Sequence, residues 1–181
     1  MKFERYDDDI LVRPLVAGDA PALHAAVRGS IASLSYWFEW CGPDYSMADA
    51  TARVARCAVT WKRGTEYGFG IFDRAESELI GAVGLSEVDE DGRCANLGYW
   101  VGERHRGRGV ATRAAAMAVA IGFEDLGIRR AEIVVLPHNH ASQRVALKLG
   151  GVFEGEVEGR LVFQGEPAGA LVYSLLPGGA A

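Results

Sequence analysis

Hydrophobic residues recur along this chain with two periods, near two and near 3.6, and the switches between them divide it into strands and helices. Ile10 to Leu15 is a short apolar run containing Pro14, which predicts a strand at a sheet edge because proline donates no ladder bond. Asp19 is placed to cap a helix whose core face carries Leu23, Ala26 and Val27. Ser33 to Tyr45 is rich in aromatics around Gly42 and Pro43 and predicts an irregular or short helical segment. Asp49 to Lys62 predicts a second helix, ended by Gly64. Strand-like runs follow at Glu66–Phe72, Glu78–Val88 and Cys94–Val101, the last two joined by the turn residues Asp89-Glu90-Asp91-Gly92. After a basic, glycine-rich loop, the stripe Val110, Ala114, Met117, Ala118 and Ile121 predicts a long helix to about Leu126. Ala131–Leu136 reads as a buried strand, and Ser142–Leu149 as a short helix with Ser142 as its natural cap and Gly150-Gly151 as its stop. Val152–Phe163 and Ala170–Leu176 close the chain as a wide hairpin around Gly165-Glu166-Pro167.

That order, a strand, two helices, three strands, a helix, a strand, a helix and two closing strands, predicts a mixed α/β (α+β) sheet with helices covering its faces. No repeat or linker divides it, so a single domain over 1–181 is expected, with its core over about 9–177. Composition agrees: 49% hydrophobic against 24% charged suits a globular chain and excludes a disordered one. No apolar run is long enough to cross a bilayer, and the acidic start Met1–Asp9 lacks the basic and apolar regions of a secretory signal. A net charge of −5 argues against direct nucleic-acid binding and weakly favours a cationic partner. Cys41, Cys57 and Cys94 are odd in number and lack CxxC spacing, which fits a reducing cytoplasm better than a disulfide or zinc framework.

The segment richest in chemistry runs from Leu97 to Thr112, where a strand enters a turn with Gly107 and Gly109 and opens into the long helix. Unpaired amides and the dipole make such a helix start a phosphate cradle, glycine lets the backbone approach the anion, and Arg104, Arg106 and Arg108 add positive charge. A Walker A loop fits poorly, because Arg108 and Gly109 stand where Lys and Ser or Thr are needed. A dinucleotide fingerprint fits poorly too, because Thr112 replaces the third glycine. The pattern R-x-x-G-x-A is met in full by Arg106-Gly107-Arg108-Gly109-Val110-Ala111.

On these residues the chain resembles the GNAT superfamily of acetyl-CoA-dependent N-acetyltransferases, and within it the ribosomal-protein N-terminal acetyltransferases of the RimJ/RimL kind. Gly98-Tyr99-Trp100-Val101 before the loop, Asn139-x-x-Ser142, Lys148-Leu149-Gly150 with Phe153-Glu154-Gly155, and the closing Val172-Tyr173-Ser174-Leu175-Leu176 carry the likeness further. It extends from Leu11 to Leu176 and is strongest from Leu97 to Gly155. The resemblance implies a mostly antiparallel sheet of about seven strands and about four helices, splayed between the Cys94–Val101 and Ala131–Leu136 strands. Acetyl-CoA would lie in that cleft with its pyrophosphate on Arg106, Gly107, Arg108, Gly109, Val110, Ala111 and Thr112, and its pantetheine arm along the backbone of Trp100 and Val101. Asn139 would bond the same arm, and Ser142 would protonate the departing thiolate.

The acceptor is an amine: a protein N-terminus by resemblance, a small molecule such as an antibiotic or polyamine as the runner-up. Glu87 and Glu39 are candidate bases or water-positioners, and Tyr36, Trp37 and Trp40 a candidate substrate wall. Two positions depart from the family: Gly169 falls where an acidic hairpin residue is common, and Leu161, beside Arg160, where some relatives carry a catalytic glutamate. A non-catalytic acyl-CoA-binding module is the alternative those departures suggest.

Plainer roles stand beside these. The two glycines could form only a tight turn, Asn139 could only stabilise the turn after Pro137, and Glu87 could be a solvated charge on a strand. The aromatic run would equally suit core packing or a homodimer contact. His138 and His140 are expected to be loop residues and no metal is expected, since no acidic or cysteine ligand is suitably spaced.

Overall fold

A computed structural model describes residues 3–89, 91 and 93–178. Its strands are β1 (Arg5–Tyr6), β2 (Ile10–Pro14), β3 (Tyr67–Asp73), β4 (Leu79–Ser86), β5 (Cys94–Val101), β6 (Arg130–Val135), β7 (Val152–Phe163) and β8 (Glu166–Leu175). Its helices are α1 (Ala20–Arg28), α2 (Ile31–Leu34), α3 (Met47–Arg63), α4 (Val110–Asp125) and α5 (His140–Lys148). The strands form one sheet in the order β1-β2-β3-β4-β5-β6-β8-β7, antiparallel except where β5 meets β6. The expected mixed sheet is therefore present, with one more strand and one more helix than counted from the pattern.

The parallel pair is the feature that positions a site. β5 and β6 pair only at Cys94–Arg130, Ala95–Ala131 and Asn96–Glu132 among the described residues. Beyond them the strands part, and the β6-side edge of Leu97–Val101 faces a cleft. On one face α4 and α5 pack against Phe69, Leu85, Leu97 and Ile133. On the other, α1 and α3 cover Leu11, Phe72 and Leu79. The buried stripe of α4 is mostly Ala114, Ala115, Ala118 and Gly122, small residues that bring the helix close to the sheet.

Local chemistry explains where the expectations shift. β1 pairs with Val12 and Leu11, so β2 is not the edge; Pro14 lies beyond those pairs, where its missing N–H costs no ladder bond. Asp19 does precede α1, but its carboxylate caps nothing there. It accepts from the Val16 N–H at 2.7 Å and from the Arg13 guanidinium at 2.8 and 3.0 Å. α3 is closed at its start by Ser46 and Asp49 in a reciprocal capping box and at its end by Gly64, whose φ of 69° suits glycine. The turn at Asp89–Gly92 has Glu90 and Gly92 outside the described residues; Asp89 accepts from the N–H groups of Arg93 and Cys94.

The closing hairpin differs most. Its turn is the two residues Gln164 and Gly165, with φ of 52° and 82°, and β8 already starts at Glu166 and includes Pro167. Two successive left-handed residues match the right-handed strand twist, so a two-residue turn replaces the wide loop read from Gly165-Glu166-Pro167. Bulges at Phe153–Gly155 and Val157–Leu161 bend β7 along its length. No helix among the described residues is long and apolar enough to cross a membrane.

Candidate active site

The loop after β5 and the first turn of α4 form the candidate anion-binding half. Gly107 and Gly109 both adopt φ of 73°, and no protein atom lies within 4 Å of where a β-carbon on either would stand. Gly109 is the residue before α4 and no side chain caps that helix, so the amides of its first turn point outward unclaimed by a cap. Arg104, Arg106 and Arg108 are exposed around it, and Arg106 donates from Nε to the Val101 carbonyl at 3.3 Å. Val110 is buried beneath, while Ala111 and Thr112 are half-buried. These residues fit a phosphorylated ligand: donors and charge face an open, β-carbon-free approach.

On the far side of the cleft, Asn139 caps α5, its Oδ1 accepting from the Ser142 N–H at 3.1 Å. The cap expected at Ser142 is thus supplied three residues earlier, and the Ser142 hydroxyl is released for other work. It lies 2.8 Å from the Tyr99 hydroxyl, a residue 43 positions away on β5. Burial pushes the Tyr99 phenol up to about 12, against the smaller opposing effect of the Ser142 hydrogen bond. Tyr99 was not among the residues singled out by pattern. Gly98-Tyr99-Trp100 marked the strand, but nothing in the sequence says which hydroxyl a tyrosine will meet across a cleft.

A cavity of about 750 Å³ opens on the face covered by α1 and α3. Gly98, Tyr99 and Trp100 line it together with Ala82 and Gly84 of β4, so it shares a wall with the cleft through Tyr99. Phe38, Trp40 and Tyr45 form its aromatic side; Trp40 packs on both of the others. A side chain at Gly98 would enter open space there, since nothing lies within 4 Å of its β-carbon position.

The cavity's carboxylates are all engaged. Glu66 is held by Arg53 at 2.7 Å and Arg56 at 3.6 Å. Asp49 belongs to the Ser46 capping box, whose hydrogen bonds hold its carboxyl below the usual range. Glu87 lies just past the end of β4, in a left-handed conformation with φ of 52°, and bonds Arg160 of β7 at 3.3 Å. The expectation of Glu87 within a strand is corrected accordingly.

The remaining sequence candidates lie elsewhere. Tyr36 and Trp37 join His138 and Phe163 in a four-ring cluster, with all six centroid distances between 4.7 and 6.4 Å. That cluster ties the segment after α2 to the tip of β7 and to the loop before α5. Glu39 strengthens the same tie by accepting from the Gly165 N–H at 3.2 Å. His140, expected as a loop residue, is the first residue of α5. Among the described residues no group of three or more His, Cys, Asp or Glu is placed to hold a metal ion. At Gly169, where an acidic side chain was missed, the Glu156 and Glu158 carboxylates come within 3.1 and 3.5 Å of the β-carbon position, so β7 brings acids to that spot from its own strand.

Comparison with known proteins agrees with this geometry. The acetyltransferase (GNAT) domain family matches residues 9–152. YjcK of Bacillus subtilis, named a probable N-acetyltransferase, is 30% identical over 149 residues, covering 81% of this chain and 82% of its own. The ribosomal-protein-serine acetyltransferase of Escherichia coli is 32% identical over 110 residues, covering 61% and 60%. A Vibrio cholerae structure, described only provisionally as a ribosomal-protein-serine acetyltransferase, superposes with a TM-score of 0.82 at 31% identity, covering 97% of this chain and 98% of that one. The splayed sheet, the uncapped α4 start and these matches together make the chain a member of the GNAT acetyltransferases, enzymes that transfer acetyl groups to amines from acetyl-CoA, with ribosomal-protein acetyltransferases among its relatives.

Proposed function

We propose that this enzyme acetylates an α-amine, most simply a protein N-terminus, by direct attack of the amine on the thioester. Acetyl-CoA supplies the activated acetyl group. Arg106, Arg108 and the amides from Gly107 to Thr112 would hold its phosphates, with the free edge at Trp100–Val101 and the Asn139 side chain along its pantetheine arm. Ser142 Oγ–H is the proton source for the leaving sulfur, at the start of α5, where the helix dipole favours developing negative charge. The acceptor enters through the cavity over Gly98, with Trp40 on its wall. The free thiols of Cys41, Cys57 and Cys94 suit a cytoplasmic setting.

The observation that carries the choice of acceptor is the engagement of Glu66, Asp49 and Glu87, each already bonded to a cation or cap. None of the three stands without a bonded partner, ready to take a proton from a bound amine. An α-amine, with pKa near 8, is neutral in roughly one molecule in ten at pH 7, at a deprotonation cost of about 1.4 kcal/mol. A lysine amine, near 10.4, costs about 4.6 kcal/mol. A site without a strong base therefore suits the α-amine. The test is thiol release from acetyl-CoA with four amines: a seryl peptide, an alanyl peptide, spermidine, and lysine blocked at its α-amine. Release with the peptides alone supports the reading; preference for spermidine transfers it to a small-molecule acceptor, and preference for the blocked lysine means that a base has been overlooked.

A further inference from the structure

We infer that Tyr99 is a positioning residue that sets the direction of the Ser142 proton, an inference that rests on the role of Ser142 proposed above. Tyr99 stands on β5 and Ser142 on α5, so their hydroxyl contact at 2.8 Å joins the two arms of the cleft. The same phenol oxygen lies 3.3 Å from the Ser142 carbonyl. Two proton arrangements follow from these three oxygens. In one, the phenol donates to the carbonyl and accepts from Ser142 Oγ–H, which turns the serine proton away from the cleft. In the other, the phenol donates to Ser142 Oγ, and the serine proton is directed into the cleft, where a leaving sulfur takes it. A hydroxyl has one proton, so Ser142 acts as an acid only in the second arrangement, and Tyr99 is the neighbour that enforces it.

Three features make the phenol suited to that role. Its burial keeps it protonated, hence a donor, through the neutral range. Asn139 fixes the Ser142 main chain through its N–H, leaving the side-chain rotor as the one freedom for Tyr99 to settle. The Tyr99 ring packs against the core beside α4, so the hydroxyl is delivered from a rigid strand and not from a loop. No bond is made or broken at Tyr99; it changes only the lone pair and proton that Ser142 presents.

A double-mutant cycle tests this, using whichever amine of the four above the wild-type enzyme acetylates. Ser142→Ala is expected to lower kcat about a hundredfold, in the range of a lost general acid. Tyr99→Phe, which keeps the ring and removes only the hydroxyl, is expected to lower kcat about tenfold, with the acceptor KM and the Kd for acetyl-CoA within about twofold. The double variant is expected to be no slower than Ser142→Ala, because Tyr99 acts only through Ser142. Multiplying losses overturn the inference, as does a Tyr99→Phe enzyme with unchanged kcat, or one whose loss lies in acetyl-CoA affinity. A Ser142→Ala enzyme at full rate overturns the Ser142 reading itself, and a wild-type enzyme silent with all four amines overturns both.

Discussion

Asn139 offers a sharp test because the structure gives it one function and the proposed acetyl-CoA contact would give it a second, each borne by a different atom. Its Oδ1 accepts from the Ser142 N–H at 3.1 Å and caps α5. The proposed bond to the pantetheine arm would use the side-chain N–H instead. Asn139→Ala removes both; Asn139→Asp keeps a capping oxygen and loses the donor. A lost asparagine cap costs about 1 kcal/mol, which in a chain of this length lowers Tm by roughly 2–4 °C. A lost neutral hydrogen bond to the donor is also worth about 1 kcal/mol, or a roughly fivefold weaker Kd. Thermal unfolding without ligand and calorimetric titration with acetyl-CoA read the two separately. Alanine is expected to lose both Tm and affinity. Aspartate is expected to hold or raise Tm, since a carboxylate also favours a helix N-terminus, while losing affinity. An aspartate variant as unstable as alanine refutes the capping role, and one that binds acetyl-CoA like the wild type refutes the contact with the donor.

Three further outcomes are expected. Gly109→Asp puts a residue tolerated in left-handed backbone, and a good helix cap, at the start of α4; Tm should hold while acetyl-CoA affinity falls at least a hundredfold by calorimetry, and an unchanged Kd would place the phosphates elsewhere. Gly98→Leu fills the cavity floor, so kcat/KM for the amine should drop at least tenfold with the acetyl-CoA Kd within about twofold; unchanged kcat/KM would mean the acceptor enters by another route. Asp19→Asn weakens the pair with Arg13, whose members are only 12% and 10% exposed, but Arg13 keeps Glu76 at 2.9 Å, so the cost should be about 2 kcal/mol near pH 7, or roughly 4–8 °C in Tm. Burial alone would raise the Asp19 carboxyl, but the bonds from Arg13 and the Val16 N–H together hold it below its ordinary value. Its contribution is therefore complete above the unfolded value near 3.9 and fades as pH falls through the lower folded one. The Tm gap between wild type and variant should narrow below about pH 4, and a gap that narrows on the alkaline side would contradict this sign.

The strand, turn and helix start of the candidate donor half were legible because they are contiguous. Cys94–Val101 is a strand in the structure over the same residues, the stripe from Val110 sets α4, and the two glycines between them stand in left-handed backbone where the turn needs them. A strand, a turn and a helix start are local objects, and local spacing describes them well. The acceptor half is assembled from distant segments, and there the pattern gave residue types without partners. Glu87, a candidate base by residue type, bonds Arg160, 73 positions on, a partner no local pattern shows. Tyr36 and Trp37 looked like a wall but cluster with His138 and Phe163. The Gln164–Gly165 turn was hidden because glutamine is an uncommon left-handed residue, so Pro167 looked like part of a loop.

The same contrast bears on the two halves of the proposed site. On the proposed function the α4 start would hold phosphate through backbone amides and glycine space, a local arrangement that a short sequence pattern can describe. The proposed acceptor cavity is bounded by residues of α1, α3, the segment after α2, and β4 and β5, and its acids already have partners: Arg53 and Arg56 for Glu66, Ser46 for Asp49 and Arg160 for Glu87. Exchanging one member of such a pair, for instance Arg160 opposite Glu87, frees a carboxylate at the rim without disturbing the cleft. The bond it breaks is exposed and worth little to stability. On the proposed function the consequence lies in chemistry: without Arg160, Glu87 would be open to accept a proton from a bound amine. On the proposed function, acceptor choice rests on which acids are paired, a property of contacts across the fold and not of any motif.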